Sequence, residues 1–137
     1  MLSGRACLVV LGVSLIGLGG CGREEDSFNG VWTGAFRDSL GGLGGGALTL
    51  TQSGDLVQGS WRIFFQVFGV GDLAKFNNSG SLAGAADGDS LTANLMTSQG
   101  PCPFSLQATR TGTILRGTYE AVNCSFTETG SFDLELN

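Results

Sequence analysis

The 137-residue chain contains no histidine, two prolines and seven basic residues, of which Lys75 is the single lysine. Without histidine there is no Ser-His or Cys-His nucleophile pair, no HExxH-type zinc site and no imidazole acid–base chemistry. Seven basic residues against twelve acidic ones give a formal net charge of −5, the wrong sign for a nucleic-acid footprint. Scarce proline and aperiodic glycine exclude a collagen-like fibre. Charged residues are only 14% of the chain, but 42% are hydrophobic, enough to build a core and to exclude disorder. The length allows one domain. What is abundant is glycine, with 24 residues, well above the usual ~7% of a chain.

Residues 1–20 read as an export signal. Arg5 precedes the apolar stretch Ala6 to Leu18, which suits a signal core and is shorter than the ~20 residues of a membrane helix. The stretch ends in Leu18-Gly19-Gly20-Cys21, which resembles the bacterial lipobox: an aliphatic residue, two small residues, then the cysteine that takes lipid. The resemblance implies that Cys21 is the lipidation site, that residues 21–28 are a charged tether, and that residues 29–137 are the folded domain. The competing reading is an ordinary signal or an uncleaved anchor in which Cys21 is incidental. Cys7 leaves with the signal and Cys21 carries lipid, so Cys102 and Cys124 remain and are expected to pair in an oxidising envelope compartment. Metal binding by two thiols without histidine is the weaker alternative. Gly22 and Arg23 follow the lipid site with no aspartate, which in a Gram-negative cell implies the outer membrane. Acyl chains would anchor the protein stably.

From Phe28 onward apolar and polar residues alternate with period two. Phe132, Leu134 and Leu136 oppose Ser131, Asp133 and Glu135; Trp61 and Ile63 oppose Ser60 and Arg62. The alternation predicts strands near 30–37, 46–53, 56–67, 79–85, 90–97, 102–109, 113–122 and 128–136. Turn chemistry at Ser53-Gly54-Asp55, Asp87-Gly88-Asp89 and Arg110-Thr111-Gly112 favours hairpins between sequence neighbours. The expected fold class is all-β, an eight-stranded antiparallel up-and-down barrel; a two-sheet β-sandwich is the alternative. The expected inward set is Trp32, Leu48, Leu50, Trp61, Ile63, Leu82, Leu91, Leu95, Phe104, Leu106, Leu115, Tyr119, Phe132 and Leu134.

A phrase recurs along the strands: Gly30-Val31-Trp32, Gly59-Ser60-Trp61, Gly117-Thr118-Tyr119 and Gly130-Ser131-Phe132. Glycine inside a strand marks a bend or a close approach. Phe28-Asn29-Gly30-Val31-Trp32-Thr33-Gly34 resembles the first-strand motif of the calycin barrels, the lipocalins and avidins, and small periplasmic protease-inhibitor barrels also begin this way. That resemblance implies a barrel and, in lipocalins, a tryptophan closing its floor. The departures are specific. Thr33-Gly34-Ala35 stands where avidins need polar biotin ligands, Trp61 stands where they have tyrosine, and Asn137 follows a strand where lipocalins have a helix.

The remaining motifs carry little chemistry. Gly41-Gly42-Leu43-Gly44-Gly45-Gly46 lacks the Lys-Ser/Thr of a phosphate loop and reads as a flexible hairpin connection. Asp87-Gly88-Asp89 has no surrounding calcium loop and reads as a turn. The acidic residues fall singly on outward faces and form no acid–base couple, and Lys75 lies in a loop. No catalytic residue, metal or cofactor is expected. The stretch from Phe64 to Phe76 is the least ordinary, because Phe64 and Phe68 fall on a polar face before a long apolar connection. It reads as a lid or greasy patch, or as a seal over the barrel end. Candidate binding residues are Trp32, Trp61, Phe64, Phe68, Phe76 and Tyr119. The expectation is a non-enzymatic envelope lipoprotein that binds a protein partner or surface; the alternative is a carrier of a small apolar ligand inside the barrel.

Overall fold

The computed structural model describes residues 27–39, 41–67, 79–98, 102–122 and 128–137, with 65–67 described by backbone alone. Within them the alternating sequence forms β1 (Gly30–Asp38), β2 (Leu43–Ser53), β3 (Leu56–Val67), β4 (Ser79–Asp87), β5 (Ser90–Thr97), β6 (Phe104–Thr111), β7 (Ile114–Ala121) and β8 (Thr129–Leu136). Each strand pairs antiparallel with the next and β8 returns to β1, which closes the sheet into an eight-stranded barrel in sequence order. The sandwich alternative is thereby excluded. Closure leaves every strand with two neighbours, so no edge invites another chain.

Three connections at one end are two-residue turns, Gly54–Asp55, Gly88–Asp89 and Gly112–Thr113. Each opens on a glycine in the left-handed region, with φ of 63°, 61° and 62°, a conformation that costs a residue with a Cβ roughly 1–2 kcal/mol. The third turn lies further along than the sequence suggested. The second residue of each turn also accepts a backbone hydrogen bond from the next hairpin: Ala86 N–H donates to Asp55 O, Arg110 N–H to Asp89 O, and Leu136 N–H to Thr113 O, all at 2.8 Å. The stagger that closes the barrel is therefore locked turn by turn.

The glycine-rich stretch departs from expectation. Leu43–Gly46 is not a flexible connection but the first part of β2, paired with β1 and β3. Within it Gly46 lies on the inward face, where an added Cβ would collide with the Arg62 carbonyl and with the Phe36 ring, whose Cε1 would stand 2.8 Å away. A register shift at Leu43/Gly44 also places a bulge opposite, between Phe65 and Val67, which re-aims the end of β3.

All fourteen residues of the expected inward set are buried, and Phe28, Phe36, Val57, Ala86, Ala93 and Ala108 join them. At ~25 cal/mol per Å² of apolar surface, this layer is the main stabilising term. Gly117 and Gly130 serve it directly: they face Phe132 and Tyr119 in register, and a Cβ on either would collide with the opposing ring.

Candidate functional site

The two ends of the barrel differ. At the end with the tight turns, Phe28 has no exposed surface and plugs the interior. Two reciprocal bonds stitch its segment to β2: Phe28 N–H donates to Gln52 Oε1 at 2.9 Å, and Gln52 N–H donates to Asn29 Oδ1 at 2.6 Å. Trp32 Nε1–H donates to the Phe28 carbonyl at 2.9 Å. Arg110, buried on the inward face of β6, places its guanidinium 5.9 Å from the Phe28 ring centre. It donates to Asp89 Oδ1 at 2.7 Å and to the Gly112 carbonyl. This end is sealed. Trp32 thus belongs to the seal, and Phe28, read from sequence as the last tether residue, belongs to the core.

The other end carries the four longer connections, at 39–42, 68–78, 98–103 and 122–128. The interior at this end of the barrel holds an aromatic layer. Phe36 stacks on Phe132 with ring centres 5.3 Å apart, Phe36 meets Tyr119 at 6.1 Å, and Phe104 meets Tyr119 edge-on at 5.9 Å. Trp61 is buried and donates from Nε1 to the Met96 carbonyl at 3.1 Å. The rings of Phe36, Phe104, Tyr119 and Phe132 are buried together in this part of the interior.

Two carboxylates at this end overturn the expectation that the acidic residues all point outward. Asp38 is 7% exposed and Glu128 only 2%. Parity explains both: Asp38 continues the inward series of Trp32, Gly34 and Phe36, and Glu128 continues that of Phe132 and Gly130. Asp38 stands in register with Gly130, which also faces Tyr119, so the inner rim of β1, β7 and β8 is polar. An open groove of about 290 Å³ at this rim is lined by Asp38, Tyr119 and Gly130 together with Arg37, Glu120 and Thr129.

On the outer wall of the loop end Leu43, Phe64 and Met96 are exposed at 48%, 40% and 53%. Phe64 lies opposite Gly45, two residues from Leu43, and the Arg62 guanidinium covers its ring at 5.3 Å. Trp61, Tyr119 and Phe64 therefore gather toward the loop end, while Trp32 stands at the other. Phe68 and Phe76 lie outside the described residues, as do Cys21 and Cys124. Cys102 is buried beside the start of β6 and is not a free thiol. Among the described residues no three Cys, Asp or Glu side chains come together as a metal site. No helix among them is long and apolar enough to cross a membrane.

No protein-family model matches the sequence, and no curated protein matches it. Solved structures do match in fold. A barrel described as EF1p2_mFAP2b bound to DFHBI aligns with TM-score 0.66 at 10% identity, over 80% of this chain and 93% of its own. A redesigned β-barrel, mFAP1, bound to DFHBI aligns at 0.63 and 17% identity, over 78% and 93%. A de novo designed fluorescence-activating β-barrel aligns at 0.60 and 13% identity, over 80% and 94%. At these identities the likeness shows the shared fold, a closed eight-stranded antiparallel barrel.

Proposed function

We propose that this chain is a non-enzymatic binding module of the bacterial cell envelope, anchored by lipid on Cys21 and engaging a protein partner through its loop end. The observation that carries the reading is the asymmetry of the barrel. One end is plugged by Phe28 and carries three two-residue turns, while the other joins its strands by longer stretches of chain and holds a buried aromatic layer. Binding residues generally sit on loops held by a rigid scaffold. Exposed Phe64 with Arg62 over its ring, and exposed Leu43 on the neighbouring strand, give the aromatic and arginine character enriched in interface cores. The lipobox-like Leu18-Gly19-Gly20-Cys21 supports the anchor. A Cys102–Cys124 disulfide, supported by the buried, non-free Cys102, would hold the 102 and 122–128 connections together.

A second reading is favoured by the comparisons: two of the similar barrels are bound to the small molecule DFHBI. On that reading, close to the calycin resemblance of Gly30-Val31-Trp32, a small apolar ligand is held inside the barrel. Native mass spectrometry of the chain gently extracted from its membranes tests both. The first reading expects the lipidated chain in a defined complex with one protein, weakened by Phe64→Asp at unchanged melting temperature. A one-to-one small-molecule adduct would carry the second reading instead. The bare chain alone would contradict both.

A further inference from the structure

We infer that the barrel meets the membrane with its sealed end and carries its loop end away from the lipid. This rests on Cys21 as the lipid-bearing residue. The chain leaves the barrel at a fixed point: Phe28 is buried in the seal, its N–H is held by Gln52 and its carbonyl by Trp32. The C-terminus is tied to the same end, where Asn137 N–H donates to the Val31 carbonyl at 2.9 Å.

Lengths then decide the orientation. Cys21 to Ser27 is seven residues, which span at most about 24 Å when fully extended. Strands of 8 to 12 residues, rising ~3.3 Å per residue and tilted by roughly 40° as barrel strands are, make a wall roughly 20–30 Å high. To bring the loop end onto the lipid, the tether would have to run fully stretched along the whole wall. With the sealed end toward the lipid, no such extension is required. The rim facing the headgroups carries Asp55 and Asp89 on exposed turns and exposed Asp87 at the end of β4, with Arg110 buried against Asp89. That charge keeps the rim in water next to anionic lipid rather than inserted.

The test uses the lipidated full chain in vesicles of phosphatidylcholine and phosphatidylglycerol containing a headgroup spin label. A fluorescent non-natural residue replaces either Thr113, on a sealed-end turn, or Ser39, beside β1 at the loop end; both positions are exposed. Quenching several-fold stronger at Thr113 than at Ser39 is expected. Equal quenching means a barrel lying on its side, and stronger quenching at Ser39 means an inverted one; either overturns the inference. Flotation scores the anchor separately. A chain that does not float with vesicles, behaving like Cys21→Ser, overturns the lipid reading itself.

Discussion

Phe28 contributes to the fold through three contacts at once: its ring fills the barrel end, its N–H meets Gln52 and its carbonyl takes the Trp32 indole. Phe28→Ala is expected to lower unfolding free energy by about 3–4 kcal/mol in urea titration, the range for a buried ring lost from a core. A change under about 1 kcal/mol would show that the end is not sealed there. Arg110 acts differently, because its partner Asp89 is largely in water, and a half-solvated ion pair contributes little. Its stem and plane cover Phe28, so packing dominates. Arg110→Met is expected to stay within about 1 kcal/mol of the parent, while Arg110→Ala loses about 2 kcal/mol. Equal losses would return the weight to the charge. Neither role was legible beforehand, because Phe28 sits beside a charged tether and Arg110 beside turn residues. Inward parity from Leu106 and Ala108 does reach Arg110, but a charged side chain is an unexpected plug.

Among the elements, period-two alternation sufficed to locate all eight strands, and the Gly-Asp turns located two of the three sealed-end hairpins. The start of β2 escaped because glycine has no strand propensity and no side chain to show parity. It is a strand because it pairs on both sides, with β1 and β3, and glycine at position 46 leaves room for the Phe36 ring. Gly46→Val is accordingly expected to destabilise by more than about 2 kcal/mol, as overpacking against a fixed ring does. An unchanged thermal midpoint would mean that β2 begins later. The bulge at Phe65–Val67 was illegible as well, since the alternation there continues unbroken in sequence. The proposed Cys102–Cys124 bridge is expected to stabilise by roughly 3 kcal/mol. The double Ser variant and the reduced parent should melt alike and below the oxidised parent; coincident melting of all three would remove the bridge.

For the molecule as a whole, the barrel was readable because turns and alternation are local signals, and closure follows from eight neighbouring hairpin strands. The candidate site was readable in part. Aromatics could be picked out, but which end each occupies depends on strand direction and stagger, and that divided Trp32 from Trp61, Tyr119 and Phe64. The glycine excess and the missing histidine describe one object, a tightly coiled barrel whose distinguishing features lie at its rims. One end is sealed by Phe28, and the other is the end at which we propose that a partner binds. Paired photo-crosslinking in living cells tests this most directly, with a photoreactive residue replacing exposed Phe64 at the loop end or exposed Leu56 at the sealed end. A discrete crosslinked protein from position 64 and none from position 56 is the predicted result. Crosslinks from position 56 alone, or equally from both, would contradict it.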